Sequence, residues 1–194
     1  MSSEDVETRT RILKAAVRLL EAHHGRSVRM GDIARAAGIS RQAVYLHFAS
    51  RAELLASTTL YLDERLDLEQ RLARSRAADS GAERLDAYIE FWGDYIPEIY
   101  GVAKALLVAQ ETDKAAAAAW DERMLAMRDG CRAAIEALES DGNLAEEWNT
   151  GEATDFLWTM LSVRSWEQLT QECGWSSHQY IHWMQAVARK TFVE

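Results

Sequence analysis

A single proline, Pro97, interrupts 194 residues, and only ten glycines accompany it. These two residue types break helices most readily, because proline lacks a backbone N–H and glycine has the most backbone freedom to lose. A chain poor in both can run in long helices. Alanine, leucine, glutamate and arginine, all strong helix formers, recur throughout. No segment of convincing length alternates apolar and polar residues as a half-buried strand does. There is no internal repeat and no low-complexity tail. The expected fold class is therefore all-α, with about nine helices.

Apolar spacing places the helices. The first runs over about 6–20, with Val6, Ile12, Leu13, Ala16, Val17, Leu19 and Leu20 largely on one face, and Gly25 ends it. A short second helix, 30–37, turns Ile33, Ala34 and Ala37 inward. Gly38-Ile39-Ser40 stops it, and Ser40 caps a third helix from Arg41 to about Phe48. Ser50 can cap a fourth, over about 51–73. A polar linker precedes a fifth, near 82–96, which Pro97 must end or kink. The sixth lies near 98–111 and the seventh near 115–138. Ser140-Asp141-Gly142-Asn143 reads as a turn. The eighth spans about 154–172, Gly174 ends it, and the ninth starts after a cap at Ser176 or Ser177.

Composition narrows the class of function. The net charge is −9, but residues 1–50 carry +3 and the remainder −12, so a basic N-terminal piece can approach phosphates despite an acidic body. Cys131 and Cys173 form no CxxC and no Cys/His ligand spacing, which fits a reducing, cytoplasmic setting rather than a disulfide or zinc framework. The stretch Met1-Ser2-Ser3-Glu4-Asp5 does not read as a secretory signal, and no uncharged run approaches the ~18–20 apolar residues of a membrane span.

The segment from Met30 to Phe48 carries the chemistry. Two short helices must cross steeply, so Ala34 is small and Gly38 supplies the positive φ of the turn. Ile39 and Val44 plug the small core. The second of the two helices then exposes Arg41, Gln42, Ala43, Tyr45 and His47, and such a helix fits a major groove about 12 Å wide. Arginine pairs bidentately with guanine and glutamine with adenine, while Ala43 can touch a thymine methyl. Tyr45, His47 and Arg51 suit phosphate contacts.

Three motifs, Ile12-Leu13-x-Ala15-Ala16, Ile33-Ala34-x-x-Ala37-Gly38-Ile39-Ser40 and Val44-Tyr45-x-His47-Phe48-x-Ser50-Arg51-x-Glu53-Leu54-Leu55, occur together at matching spacing. The stretch from Ile12 to Leu55 thereby resembles the DNA-binding domain of the TetR family of bacterial regulators. The resemblance implies base-reading positions at Gly31, Arg41, Gln42, Ala43 and Tyr45, and phosphate contacts from Ser40, His47 and Arg51. Two positions depart from the family pattern. The usual lysine after the third helix is Arg51, which keeps the charge. The usual threonine capping the second helix is Arg29, which leaves capping to Ser27 or to a backbone shift and makes Arg29 a phosphate contact of its own. The expected division is a helix-turn-helix DNA-binding domain at 1–50 and a helical ligand-binding and dimerisation domain at 51–194.

The second part is similar to the last two helices of many such regulators through Leu157-Trp158-x-Met160-Leu161, Trp166-Glu167-x-Leu169, Gly174-Trp175-Ser176 and Tyr180-x-x-Trp183. The resemblance implies a homodimer joined through those helices, and two recognition helices about 34–36 Å apart read a palindromic operator in double-stranded DNA. A pocket for a small, largely apolar effector is expected from Phe91, Trp92, Tyr95, Trp120, Met124, Met127 and Trp158, although an aromatic stripe at helical spacing also serves as plain core. Asp94, Gln110, Glu111, Arg128 and Asp155 could orient a ligand or simply be solvated. No GxSxG, HExxH, P-loop or GxGxxG occurs, so no enzyme, catalytic residue, cofactor or metal site is expected. His178 and His182 have metal-ligand spacing without a third ligand. Two functional readings stand: a DNA-binding transcriptional regulator, most simply a repressor released by its effector, or a DNA-binding protein with no small-molecule effector, controlled by a protein partner or by abundance.

Overall fold

The computed structural model describes residues 3–23 and 28–194. The expected stop at Gly25 and the expected cap from Ser27 lie outside them. Among the described residues there is no strand, and one isolated antiparallel bridge pairs Leu144 with Val193. The helices are α1 (Ser3–Ala22), α2 (Met30–Ala37), α3 (Arg41–His47), α4 (Arg51–Arg65), α5 (Leu68–Arg76), α6 (Gly81–Ala109), α7 (Lys114–Ser140), α8 (Thr150–Met160), α9 (Val163–Glu167) and α10 (Ser177–Phe192), with a π-helical turn at Gln168–Glu172 following α9. None of the described helices is long and apolar enough to cross a membrane.

Three boundaries differ from the sequence expectation, each for a physical reason. The fourth helix stops at Arg65, because Asp67 takes a left-handed conformation (φ 51°, ψ 55°) that aspartate tolerates better than most side chains, and α5 starts from it. The eighth breaks after Met160, where the Ser162 hydroxyl accepts from the Ser165 N–H at 3.2 Å and caps α9. The fifth and sixth are one helix, and Pro97 does not end it. A mid-helix proline costs ~3 kcal/mol or more. Tyr95 and Ile96 before it and Tyr100 and Val102 after it are buried, and burying each such side chain gives roughly 1.5–3 kcal/mol, so packing on both sides of Pro97 outweighs the lost hydrogen bond.

The chain divides into two compact units. The first comprises Met1–Leu66 and Glu98–Glu122. Its core takes Ile12, Ala16 and Leu20 from α1, Ile33 and Ala37 from α2, Val44 from α3, then Phe48, Leu54, Leu55 and Leu62, and closes on Val102 and Leu106 of α6. Val6 lies outside this core and is exposed, since α1 begins a turn before its packed stretch. α6 passes so close to α1 that a Cβ at Gly101 would fall on the Leu20 carbonyl.

The second unit comprises Asp67–Pro97 and Arg123–Glu194. It buries Leu85, Ile89 and Trp92 of α6, Cys131, Ile135 and Leu138 of α7, Leu157 of α8, and Tyr180 and Phe192 of α10. α10 is tied to α6 by polar links: the Gln185 amide donates to the Asp86 carbonyl at 3.0 Å, and the Arg189 guanidinium donates twice to the Asp86 carboxylate at 2.6 and 2.8 Å. The expected turn is present at Gly142 (φ 69°), and the Ala145 N–H donates to the Phe192 carbonyl at 3.0 Å. Burial pushes the Cys131 thiol up from 9.0 to about 12, whereas Cys173 is exposed. A thiol-reactive dye at pH 8 is thus expected to label one thiol per native chain, and two after unfolding. Because the folded value is raised, the stability linked to Cys131 is complete below about pH 9 and falls as pH rises towards 12.

Candidate nucleic-acid interface

The helix-turn-helix forms as the sequence requires. α2 ends at Gly38, whose φ of 69° and ψ of 33° put it in the left-handed region, and the Ile39 N–H closes on the Ala34 carbonyl at 3.0 Å. α3 starts at once: the Ser40 hydroxyl accepts from the Ala43 N–H at 3.0 Å. Val44 and Phe48 are fully buried, one turn apart, and pin α3 to the core. Ile39, expected to plug that core, is half-buried beside it. What remains of α3 faces outward. Arg41, Gln42 and Tyr45 are exposed, Ala43 and His47 are half-buried, and Ser40 is exposed at the cap.

Among the described residues, the start of α2 is held from within the helix. The backbone N–H of Arg29 donates to the Asp32 carboxylate at 3.1 Å, so the third residue of the helix supplies the side-chain partner, and the Arg29 side chain stays exposed. Gly31, on the first turn of α2, has open space where a Cβ would stand.

The cations of this region divide into two groups. Arg41 rests over the Tyr45 ring at 5.6 Å, with a long contact of 3.5 Å to the Tyr45 hydroxyl. Arg9 donates to the Ser57 hydroxyl at 3.0 Å and lies 4.9 Å over the buried Phe48 ring, so it is structural. Arg51 is half-buried, and its Nε donates to the Val28 carbonyl at 3.4 Å. Burial lowers its guanidinium from the ordinary value, with Asp113 opposing. α4 is capped as expected by Ser50, which accepts from the Glu53 N–H at 3.0 Å.

Sequence reasoning missed Leu46. It is 87% exposed on α3 between Tyr45 and His47. An apolar side chain held in water on a polar helix face was the available signal. Such a group fits a thymine methyl.

The expected pocket residues fall in both units. Phe91, Trp92 and Tyr95 lie on the part of α6 in the second unit, with Phe91 stacked on Tyr95 at 5.4 Å. Met127 is buried in the same unit, and its carbonyl accepts from the Tyr88 hydroxyl at 2.9 Å. Met124 and Trp158 are half-buried there. Trp120 packs against the core of the first unit instead. Of the polar groups, Arg128 and Asp155 pair with each other at 2.7 and 2.9 Å, Gln110 donates to the Leu107 carbonyl, and Asp94 and Glu111 are exposed. Among the described residues no group of three or more His, Cys, Asp or Glu could hold a metal ion, so His178 and His182 stand without a third ligand.

Residues 12–58 match the model of the tetR family of bacterial regulatory proteins. The chain is 42% identical over 53 residues to the HTH-type transcriptional regulator AcrR of Shigella flexneri, which covers 27% of this chain and 25% of that protein. It is 30% identical over 113 residues to the HTH-type transcriptional regulator CymR of Pseudomonas putida, 57% of this chain and 54% of that one. The matched stretches therefore span a quarter to about half of these relatives. Among solved structures, a transcriptional regulator from Saccharomonospora viridis in complex with choline superposes with a TM-score of 0.81 at 19% identity, covering 97% of this chain and 99% of that chain, which speaks for the fold. Over residues 12–58 the helix-turn-helix is thus that of the tetR family of bacterial regulatory proteins, and the helical fold is matched along nearly the whole chain.

Proposed function

We propose that the protein is a sequence-specific, DNA-binding transcriptional regulator of the cytoplasm, acting as a homodimer on a palindromic operator and working as a repressor released by a small, largely apolar effector. In this reading residues 1–50 bind DNA and 51–194 sense the effector and dimerise. The observation that carries it is α3: two buried side chains, Val44 and Phe48, fix a short helix whose remaining face, Arg41, Gln42, Tyr45 and Leu46, is exposed. Among the described residues, the packing of the first unit needs none of those four side chains in place, and their chemistry suits base edges and thymine methyls. Ser40, Ala43, His47, Arg29 and Arg51 flank them as further contacts to bases or phosphates. Dimerisation draws support from Phe156 of α8 and from Trp183 and Val187 of α10, which remain 45%, 50% and 42% exposed in the second unit; large apolar groups on neighbouring surface helices mark association sites.

Selection of bound DNA from a random duplex pool tests the reading. It should return an inverted repeat whose half-sites are centred ~10 base pairs, or a multiple, apart. A pool that shows no enrichment, or enrichment of a single unrepeated half-site, would remove the sequence-specific dimer.

Gly31→Ala separates binding from folding. A Cβ there meets nothing within 4 Å, and alanine exceeds glycine as a helix former by up to ~1 kcal/mol. The variant should melt at the same or a slightly higher temperature. Its affinity for the selected operator should nonetheless fall, because a methyl then stands where the DNA backbone must approach. Unchanged operator affinity would take Gly31 out of the interface.

A further inference from the structure

We propose that Trp92 of α6 and Tyr180 of α10 together form a recognition point for a neutral, carbonyl-bearing apolar ligand in the second unit. The two helices meet at Gly93: a Cβ there would fall on Ile181 Cγ1 and lie 3.4 Å from Tyr180 Cδ1. That close approach packs Tyr180 against the stretch of α6 that carries Trp92. Tyr180 is fully buried and Trp92 is 5% exposed. Neither Trp92 Nε1 nor Tyr180 Oη has a hydrogen-bond partner, although the indole is near enough to bias the titration of the phenol, which burial pushes up. The neighbouring Tyr88 hydroxyl is already committed to the Met127 carbonyl.

The inventory of donors defines what is missing. Indole nitrogen only donates, and a phenol must place one proton. Even with the Trp92 N–H turned onto Tyr180 Oη, the Tyr180 proton has no acceptor. Native interiors rarely leave such groups unmet, so each one calls for an explanation. One oxygen with two lone pairs answers both donors. The charge of that oxygen follows from its surroundings. Cys131, the charged-form neighbour that bears on Tyr180, is held neutral by its own burial. Arg128, whose charge reaches Cys131, is already paired with Asp155, and an unpaired buried ion is far costlier than a neutral carbonyl. The apolar body of the ligand would lie along the face of α6 that carries Tyr88, Trp92 and Tyr95. The atoms nearest the α6 backbone at Gly93 belong to the Ile181 and Tyr180 side chains, which can rotate to admit a guest, whereas at Gly101 they are backbone.

The site deepens the effector reading above but is tested apart from it. Two ketones, acetophenone and 2-undecanone, are each paired with the analogue in which C=CH2 replaces C=O. Binding to the full chain is followed by tryptophan fluorescence and thermal shift, and the carbonyl stretch by infrared difference spectra. The ketones should bind about tenfold or more tighter than their methylene partners, as expected for hydrogen bonds to otherwise unmet donors. The bound carbonyl stretch should move to lower wavenumber. Tyr180→Phe should erase most of the difference while leaving the hydrocarbons unchanged, and Trp92→Phe should do the same in part. Without ligand, Tyr180→Phe should melt no lower than the parent, because it deletes a buried hydroxyl whose proton has no acceptor.

A lower melting temperature for unliganded Tyr180→Phe would show that the hydroxyl is satisfied, for instance by a buried water, and would overturn the proposal. So would ketones that bind no better than their methylene partners, or that do not bind. Operator affinity is measured in parallel. Ketone binding that leaves it unchanged removes the effector role and keeps the site; loss of ketone discrimination with operator binding intact removes the site and keeps the regulator.

Discussion

Replacing Arg41 by alanine is expected to weaken binding to the selected operator by roughly 1–3 kcal/mol, tenfold to more than a hundredfold, and to relax base preference at one position of each half-site. Arg41 opens α3, its side chain is exposed, and its contacts in the described structure are to Tyr45 alone. Its removal should therefore leave the fold untouched and strip a bidentate donor from the exposed face of α3. Arg51→Ala provides the contrast. Arg51 is half-buried against the Val28 carbonyl, at the edge of the connection into α2. On the proposed reading it contacts phosphate rather than base edges, so its loss should weaken every duplex alike and lower the salt slope by about one, with some loss of thermal stability. Fluorescence anisotropy over a salt series, on the operator and on a scrambled duplex, measures both. If the two variants lose affinity in the same proportion on both duplexes, the assignment of base reading to Arg41 fails.

Gly101→Val should have the largest effect on folding. The new Cβ would be driven into the Leu20 carbonyl, a backbone atom that cannot rotate away, and the extra methyls would enter a core already closed by Val102 and Leu106. Overpacking of a well-filled core costs ~1–3 kcal/mol and more where backbone must move. A loss above ~3 kcal/mol corresponds to about 10 °C in melting temperature for a chain of this size. The helix-turn-helix shares that core, so operator binding should disappear with the same midpoint as the helical signal in circular dichroism. A variant that melts within a degree or two of the parent would mean that α6 does not cross α1 as described.

The helix-turn-helix was legible because its information is local. The buried Val44 and Phe48, the left-handed Gly38 and the capping Ser40 all sit within one short stretch, and their pattern dictates both the turn and the outward face. What escaped depends on distant partners. Nothing in the sequence around Arg51 announces that its guanidinium turns inward to Val28. The helical spacing of Leu62, Leu66 and Leu72 hides a break, because the conformation of Asp67 decides it. Pro97 reads locally as a stop, yet packing before and after it keeps α6 continuous. Trp120 has the spacing of a pocket residue, but the helix that carries it serves both compact units, and its ring falls in the first. Periodicity identifies which side chains face a core; it does not say which core.

The aromatic platform beneath Arg41 has one more consequence. A long cationic side chain free in water samples many rotamers, and fixing it on a target sacrifices that freedom, roughly 1.5–2 kcal/mol for a fully restrained arginine. Here the guanidinium already lies against a flat ring one turn further along the helix. Part of the ordering is therefore complete before any encounter, and the planar fork is presented in few orientations. On the proposed reading of Arg41, discrimination between correct and incorrect duplexes would then rest on the geometry of the fork rather than on the search that would otherwise precede contact.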